Sequence, residues 1–305
     1  MKNWKAKALQ AIFDRHMRWR IKDLLHAEYL LTLDYPLRPK PRYGEGKPAH
    51  PGIAALLSRN DEAYQIRLSA LSRYSGNLMR VAETTQDGAL GEPQWDNDYF
   101  SALDAIALYG LLGEIKPSRY FEIGSGNSTK FARRAVRDLA LTTQVMSVDP
   151  NPRAEVDALC DRVIRQPLED VDATLFDQLE EGDILFVDNS HRVFQNSDVT
   201  VFFLEILPRL KPGIVIHIHD VFLPYDYPLN WVHRYYSEQY LLAAFLLAGD
   251  RRIQVLLPLA YLSQHPLMSE FVQNTWCDPL FQRSFSRYRH ITGGYIGTSF
   301  WLMLT

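Results

Sequence analysis

Four short clusters in this 305-residue sequence carry side chains able to do chemistry. They are Glu122-Ile123-Gly124-Ser125-Gly126-Asn127-Ser128-Thr129, the lone Asp149, Asp188-Asn189-Ser190-His191, and His217-Ile218-His219-Asp220. In the first cluster, Gly124 and Gly126 permit a tight turn and the close approach of a ligand to the backbone. A helix pattern starts directly after it, so free N–H groups at 127 and 128 face a polar ligand. Asp149 follows Gly126 by 23 positions, where an acid accepts hydrogen bonds from ribose hydroxyls. Strand, turn, helix, strand and acid in that order point to a nucleoside-containing cofactor lying over the carboxyl ends of the strands, beside the loop Glu122, Gly124, Ser125, Gly126, Asn127 and Ser128 and beside Asp149. The competing reading makes Gly-Ser-Gly a plain turn and Asp149 a helix cap.

A pyrophosphate dinucleotide favours a third glycine, and Thr129 stands there, which counts against NAD or FAD. Glu122 at the end of the first strand likewise favours a cationic group over a diphosphate. The third and fourth clusters end neighbouring strands and emerge at one sheet edge above the cofactor. Two chemistries are open there. With His191, Asp188 and Asp220 as the catalytic set, His191 takes a proton from an acceptor hydroxyl. Alternatively, Asp188, His219 and Asp220 hold a divalent metal that acidifies the acceptor oxygen. The bland alternative gives Asp188 to the cofactor's amino group, lets Asp220 cap a turn, and leaves His219 lining the cleft. His217 reads as a packed strand residue.

The elements that must position these groups are legible as short apolar runs: Arg119–Ile123, Gln144–Val148, Arg162–Ile164, Asp183–Val187, Gly213–Ile218, Ile253–Leu257 and Ser299–Leu304. Helical patterns such as Thr129–Leu139 and Asp198–Leu210 lie between them. The alternation predicts an α/β fold, with a mostly parallel sheet covered by helices on both faces. The last two runs, separated by a segment without clear helical period, are expected as an antiparallel pair at one edge.

FEIGSGNST, SVDPNP, DILFVDNSH and LPRLKPGIVIHIHD together resemble the class I S-adenosylmethionine-dependent methyltransferases, most closely the bacterial branch called methyltransferase family 24. The likeness covers roughly residues 95–260. It implies a Rossmann-like sheet of seven strands with the last antiparallel. It also implies a glycine loop holding the methionine part of the cofactor, through Glu122, Gly124, Ser125 and Gly126, and Asp149 on the ribose. Glu169 is carried over for the adenine, although Gln166-Pro167-Leu168-Glu169 departs from the family's usual Gly-Asp. Related small-molecule O-methyltransferases bind magnesium through carboxylates at these strand ends; His219 departs from an all-oxygen set. The sulfonium and amino group of S-adenosylmethionine suit the acidic site. The leading function is O-methylation of a small-molecule acceptor. The alternatives are a non-catalytic cofactor-binding or assembly protein with the same fold and, behind it, an NAD-dependent oxidoreductase.

Upstream, Leu9, Phe13, Met17, Ile21 and Leu24 give one apolar stripe on a basic helix. That helix is expected to dock on the body, on a partner or on a membrane surface, and it offers a route to a homodimer. Residues 34–52 hold five prolines and read as a strap; a second helical stretch runs from Ile53 to Val81. The expected domains are an N-terminal helical extension, 1–94, and the methyltransferase domain, 95–305. Residues 1–50 carry 11 Lys+Arg against 5 Asp+Glu, yet the whole chain has a formal charge of −3. The molecule is therefore not built to coat nucleic acid. The apolar run from Tyr240 to Gly249 is about half of the roughly 20 residues a spanning helix needs, so no transmembrane segment is expected. Two cysteines, Cys160 and Cys277, exclude a disulfide scaffold. A soluble, cytoplasmic protein is the expectation. In the aromatic loop Val221–Trp231 a substrate wall and a packed structural loop remain equal readings. Trp95 and Asn97 are expected to close the cofactor pocket, and Asp198 reads as structural.

Overall fold

The computed structural model describes residues 35, 37–84, 91–152, 155–249 and 252–305. The stripe from Leu9 to Leu24 lies outside them. The chain divides into two compact units, Met1–Lys40 and Pro41–Thr305, and every strand among the described residues belongs to the second. The boundary expected at residues 94 and 95 falls inside that unit.

Seven strands form one sheet in the order β3-β2-β1-β4-β5-β7-β6. They are β1 (Arg119–Ile123), β2 (Gln144–Val148), β3 (Arg162–Ile164), β4 (Ile184–Val187), β5 (Val215–Ile218), β6 (Ile253–Pro258) and β7 (Phe300–Leu304). The first five pair in parallel. β7 runs antiparallel to both β5 and β6, and so sits between them. The order turns back between β1 and β4, which opens a crevice at the carboxyl ends of these strands. β1, β4 and β5 are buried along almost their whole length, as strands covered on both faces must be.

The stretch from 51 to 78 is helical but broken into short pieces, chiefly α1 (Pro51–Leu57) and α2 (Asp61–Leu71). Leu57, Tyr64, Leu68, Leu71 and Leu78 are buried in the main core. The strap ahead of it is tied to the aromatic loop. The Tyr43 N–H donates to Asp226 Oδ2 at 2.9 Å, the Leu229 N–H to Glu45 Oε1 at 3.0 Å, and the His50 N–H to the Pro224 carbonyl at 2.9 Å.

Helix α3 (Ala102–Ile115) is almost entirely buried, and α4 (Asn127–Asp138) follows β1. The expected helix from 198 to 210 is present in altered form. A single α-turn, Asp198–Val201, widens into a π-helical stretch, Phe202–Ile206, and tightens into a 3₁₀ turn, Leu207–Arg209. Pro208 has no N–H to return to residue 204, so a regular α-helix cannot continue there.

After α5 (Glu238–Leu247), the segment between β6 and β7 holds three helices: α6 (Leu259–Gln264), α7 (Pro266–Thr275) and α8 (Pro279–Thr292). Pro266 and Pro279 open new helices behind the side-chain caps His265 and Asp278. The restarts rotate the apolar face each time, which erases any single period. Among the described residues no helix is long and apolar enough to cross a membrane.

Candidate active site

The glycine turn leaves β1 with Gly124 at φ +78°. A Cβ there would lie 1.8 Å from the Asp188 carbonyl oxygen, so only glycine fits between the β1 and β4 ends. Gly126 is different: a Cβ on it meets no atom within 4 Å. Thr129 then closes the turn. Its hydroxyl accepts the Gly126 N–H at 2.9 Å and donates to Glu122 Oε2, while Tyr120 donates to Glu122 Oε1 at 3.0 Å. Ser128 is buried beside the same carboxyl. The residue at the third glycine position thus anchors the loop to β1.

Glu122 lies behind the turn, fully buried, and does not line the cleft. Burial pushes its carboxyl from 4.5 up to about 8, against the hydrogen bonds from Ser128, Thr129 and Tyr120. It is largely neutral at pH 7. Its folded value lies above the unfolded one, so its contribution to stability is complete below about pH 4.5 and lost as the pH rises through about 8. Glu122→Gln should flatten the fall in urea midpoint between pH 5 and 9, an effect on the order of a few kcal/mol. An unchanged slope would show that Glu122 is ionised in the fold.

The cleft itself measures about 240 Å³ and is lined by Gly124, Ser125, Asp149, Asn151, Glu169, Asp188 and Asp198 among others. None of the described residues lining it is basic, and four are acids. Asp149 is held ready: Ser125 donates to its Oδ2 from N–H at 2.7 Å and from Oγ at 3.0 Å, and Asn151 N–H donates to Oδ1 at 2.8 Å. Glu169 is exposed on the far wall. Asn127, at the first position of α4, donates from Nδ2 to Asn97 Oδ1 at 3.3 Å, so Asn97 stands at the loop. Trp95 does not close the pocket; it is buried against Phe131 and Phe281. Asp198, expected to be structural, both lines the cleft and accepts from Ser190 N–H at 2.7 Å and Ser190 Oγ at 2.6 Å.

A second cavity of about 580 Å³ shares Asp188 with the first. Its walls include His191, His219, Asp220, Trp231, Arg234, Tyr236 and Tyr288. His191 is buried at φ +59°, with its N–H donating to Asn189 Oδ1 and its carbonyl accepting the N–H groups of Ser237 and Glu238. Those bonds hold a backbone conformation that non-glycine residues seldom adopt. Its Nδ1 lies 2.9 Å from Glu238 Oε2; its Nε2 lies 3.2 Å from Asp188 Oδ1 and 3.6 Å from Asp220 Oδ2. Burial alone would push this imidazole down. Hydrogen bonds to Asp188 and Glu238 and the charge of Asp220 outweigh it and hold the ring well above an ordinary histidine. His191 is therefore an imidazolium at neutral pH.

Asp220, at φ +54°, is set by Thr298, whose hydroxyl donates to Oδ1 at 3.2 Å. Thr298 is fixed in turn because Asp104 Oδ1 accepts the Thr298 and Ser299 N–H groups at 2.9 and 2.7 Å. Helix α3 and the entry to β7 thus aim the acid.

Among the described residues the expected metal set Asp188, His219 and Asp220 is not gathered into a metal-binding group. His219 Nε2 lies 3.2 Å from the Tyr99 carbonyl and 3.7 Å from Asp220 Oδ1, with its ring against Phe100. The His191 ring stands between the two carboxylates, where a bridging cation would sit. Among the described residues no group of three or more His, Cys, Asp or Glu side chains is arranged to hold a metal ion. His217 is packed as expected, stacked on Phe186 and bonded to Ser299. Most of the aromatic loop packs too: Phe222, Tyr227 and Trp231 form a small second core with Ala260 and Tyr295, and only Trp231 reaches the cavity. Sequence reasoning missed Glu238, Arg234, Tyr236 and Tyr288.

A mostly parallel seven-stranded sheet with a reversed β7, a glycine turn after β1 and an acid after β2 defines the class I methyltransferases as a group. Residues 121–221 match the family model described as a methyltransferase domain, so this stretch of the chain carries a methyltransferase domain. None of the curated proteins compared with it matches. Among solved structures it is similar to the Podospora anserina methyltransferase PaMTH1, at 17% identity over 72% of this chain and 93% of that one, with a TM-score of 0.37. It is also similar to the Streptomyces achromogenes O-methyltransferase TomG, at 15% identity over 95% and 99%, TM-score 0.33. A Bacillus cereus O-methyltransferase shares 16% identity over 77% and 88%, TM-score 0.34.

Proposed function

We propose that this chain moves the methyl group of S-adenosylmethionine to an oxygen of a small molecule. The observation that carries the reading is the pair of cavities meeting at Asp188, one lined by the glycine turn and Asp149, the other by His191 and Asp220. The four acids of the first cleft, with no basic side chain among the described residues lining it, fit a cationic ligand and oppose a diphosphate. Bound there, the cofactor supplies an electrophilic methyl on a positively charged sulfur.

In this reading Gly124, Ser125 and Gly126 seat the methionine part, with Asn127 and Ser128 at the α4 end of the loop and Glu122 securing it from behind. Asp149 takes the ribose and Glu169 the outer wall. Asp188 faces the amino group on one side and the acceptor on the other. His191, already protonated, cannot open the reaction as a base. Its role is to hold the acceptor oxygen by an Nε2–H hydrogen bond and stabilise the charge that develops on it. Asp220, with Asp188, is left to take the acceptor's proton. Fixing the acceptor against the donor is worth up to roughly 7–11 kcal/mol, and proton removal about 10²–10⁴-fold.

The test is transfer of labelled methyl from S-adenosylmethionine to a library of hydroxylated small molecules. Label appearing as a methyl ether or ester supports the reading. Label found on nitrogen or sulfur acceptors alone contradicts it.

A further inference from the structure

The second cavity is lined by two unlike sets of charge. In one, Asp188, Asp220 and His191 make an acid cluster around one imidazolium. The other is Arg234, which closes the 3₁₀ helix Leu229–Arg234 and is linked to His191 through the Tyr236 ring, 4.6 Å from the His191 ring centre. Its guanidinium lies 3.7 Å over the Trp231 ring and 5.6 Å from the Tyr236 ring centre. Stacking occupies the faces of a guanidinium and leaves its in-plane N–H donors at the edge. Among the described residues those donors have no hydrogen bond and no ion pair.

The neighbouring arginines behave differently. Arg192, 5.2 Å from the Tyr236 ring centre, spends its donors on the backbone, Nε to the Arg234 carbonyl at 3.0 Å and Nη1 to Ser190 at 3.1 Å. Arg287 is tied to Asp98, a residue of the cavity rim, at 2.7 Å. Arg234 is thus the only basic Lys or Arg side chain among the described residues lining the cavity. A guanidinium held this way is a fork suited to a carboxylate. The cavity beside it is walled by the aromatic side chains Trp231, Tyr236 and Tyr288, a lining suited to a ring-bearing ligand. An anion entering the cavity is repelled by Asp188 and Asp220 and drawn to Arg234, which fixes which end of the acceptor meets the methyl donor.

We propose that the acceptor is a flat, ring-bearing hydroxy acid whose carboxylate is clamped by Arg234 while its hydroxyl lies against His191 and Asp220. This rests on the methyltransferase reading above and names its substrate class.

The test uses full-length protein saturated with S-adenosylhomocysteine. Calorimetric titrations compare 3-hydroxybenzoate, 4-hydroxybenzoate and 4-hydroxycinnamate with their three amides, which keep the ring and hydroxyl and lose the charge. At least one acid should bind about 10- to 100-fold more tightly than its amide, the worth of one charge-assisted hydrogen-bonded contact. Arg234→Met should bring that ratio to near one while the S-adenosylhomocysteine affinity and the melting temperature hold; Arg234→Lys should keep part of it. A merely structural Arg234 would lower the melting temperature and leave the acid-to-amide ratio alone. Equal binding of acid and amide in every pair, no binding of any acid, or a ratio that survives Arg234→Met overturns the proposal. Failure of S-adenosylhomocysteine itself to bind is a separate result and strikes the methyltransferase reading instead.

Discussion

Gly124→Ala should abolish cofactor binding and destabilise the fold by more than about 3 kcal/mol. Two independent costs act at this position. The backbone sits at φ +78°, where an L side chain is strained. The added carbon would also lie 1.8 Å from the Asp188 carbonyl oxygen, which is backbone and cannot rotate away. The ends of β1 and β4 must then separate, and Asp188, which lines both cavities, moves with them. Gly126→Ala is the control, since its added carbon meets nothing and should leave stability nearly unchanged. Urea denaturation and titration with S-adenosylhomocysteine read the two effects separately. A stable Gly124→Ala protein with normal affinity would mean that the turn does not bear on the cofactor.

His191→Asn should cut kcat by about 10²–10³-fold with little change in S-adenosylhomocysteine affinity. Asparagine tolerates the positive φ of this position, so the substitution tests the ring and spares the backbone. What is lost is the donor between Asp188 and Asp220 and the counter-charge for buried Glu238. Without the imidazolium, two carboxylates face the acceptor oxygen with nothing to neutralise the charge growing there. Because the ring is already protonated, wild-type activity should not demand deprotonation of His191 as pH rises from 6 to 8. A variant with unaltered turnover would move the chemistry to another wall of the cavity.

The strands and the glycine turn were legible because their signals are local: unbroken apolar runs, then two glycines before a helix. The helices between 258 and 298 were not, since Pro266 and Pro279 restart the pattern. Asp149 was legible from its place after β2. Glu238 was not, because its partner His191 lies 47 residues away and only folding brings the two together. The same holds for Arg234, whose exposed sequence neighbours His233 and Tyr235 suggest a surface turn.

Glu122 shows a subtler failure. An acid at the end of β1 reads as negative charge, but complete burial keeps it neutral, and the cleft's negative character comes instead from Asp149, Glu169, Asp188 and Asp198. Among the described residues the three expected metal ligands are not gathered, for a geometric reason. A list of carboxylates and histidines does not reveal that His191, turned inward by its positive φ, occupies the space between them.

The central claim is that the cleft beside the glycine turn accepts a cationic sulfur donor and refuses a diphosphate. Isothermal titration of the purified chain with S-adenosylmethionine and, in parallel, with NAD tests it most directly. Saturable binding of S-adenosylmethionine with no heat from NAD is the predicted result. Saturable binding of NAD with none of S-adenosylmethionine would contradict it.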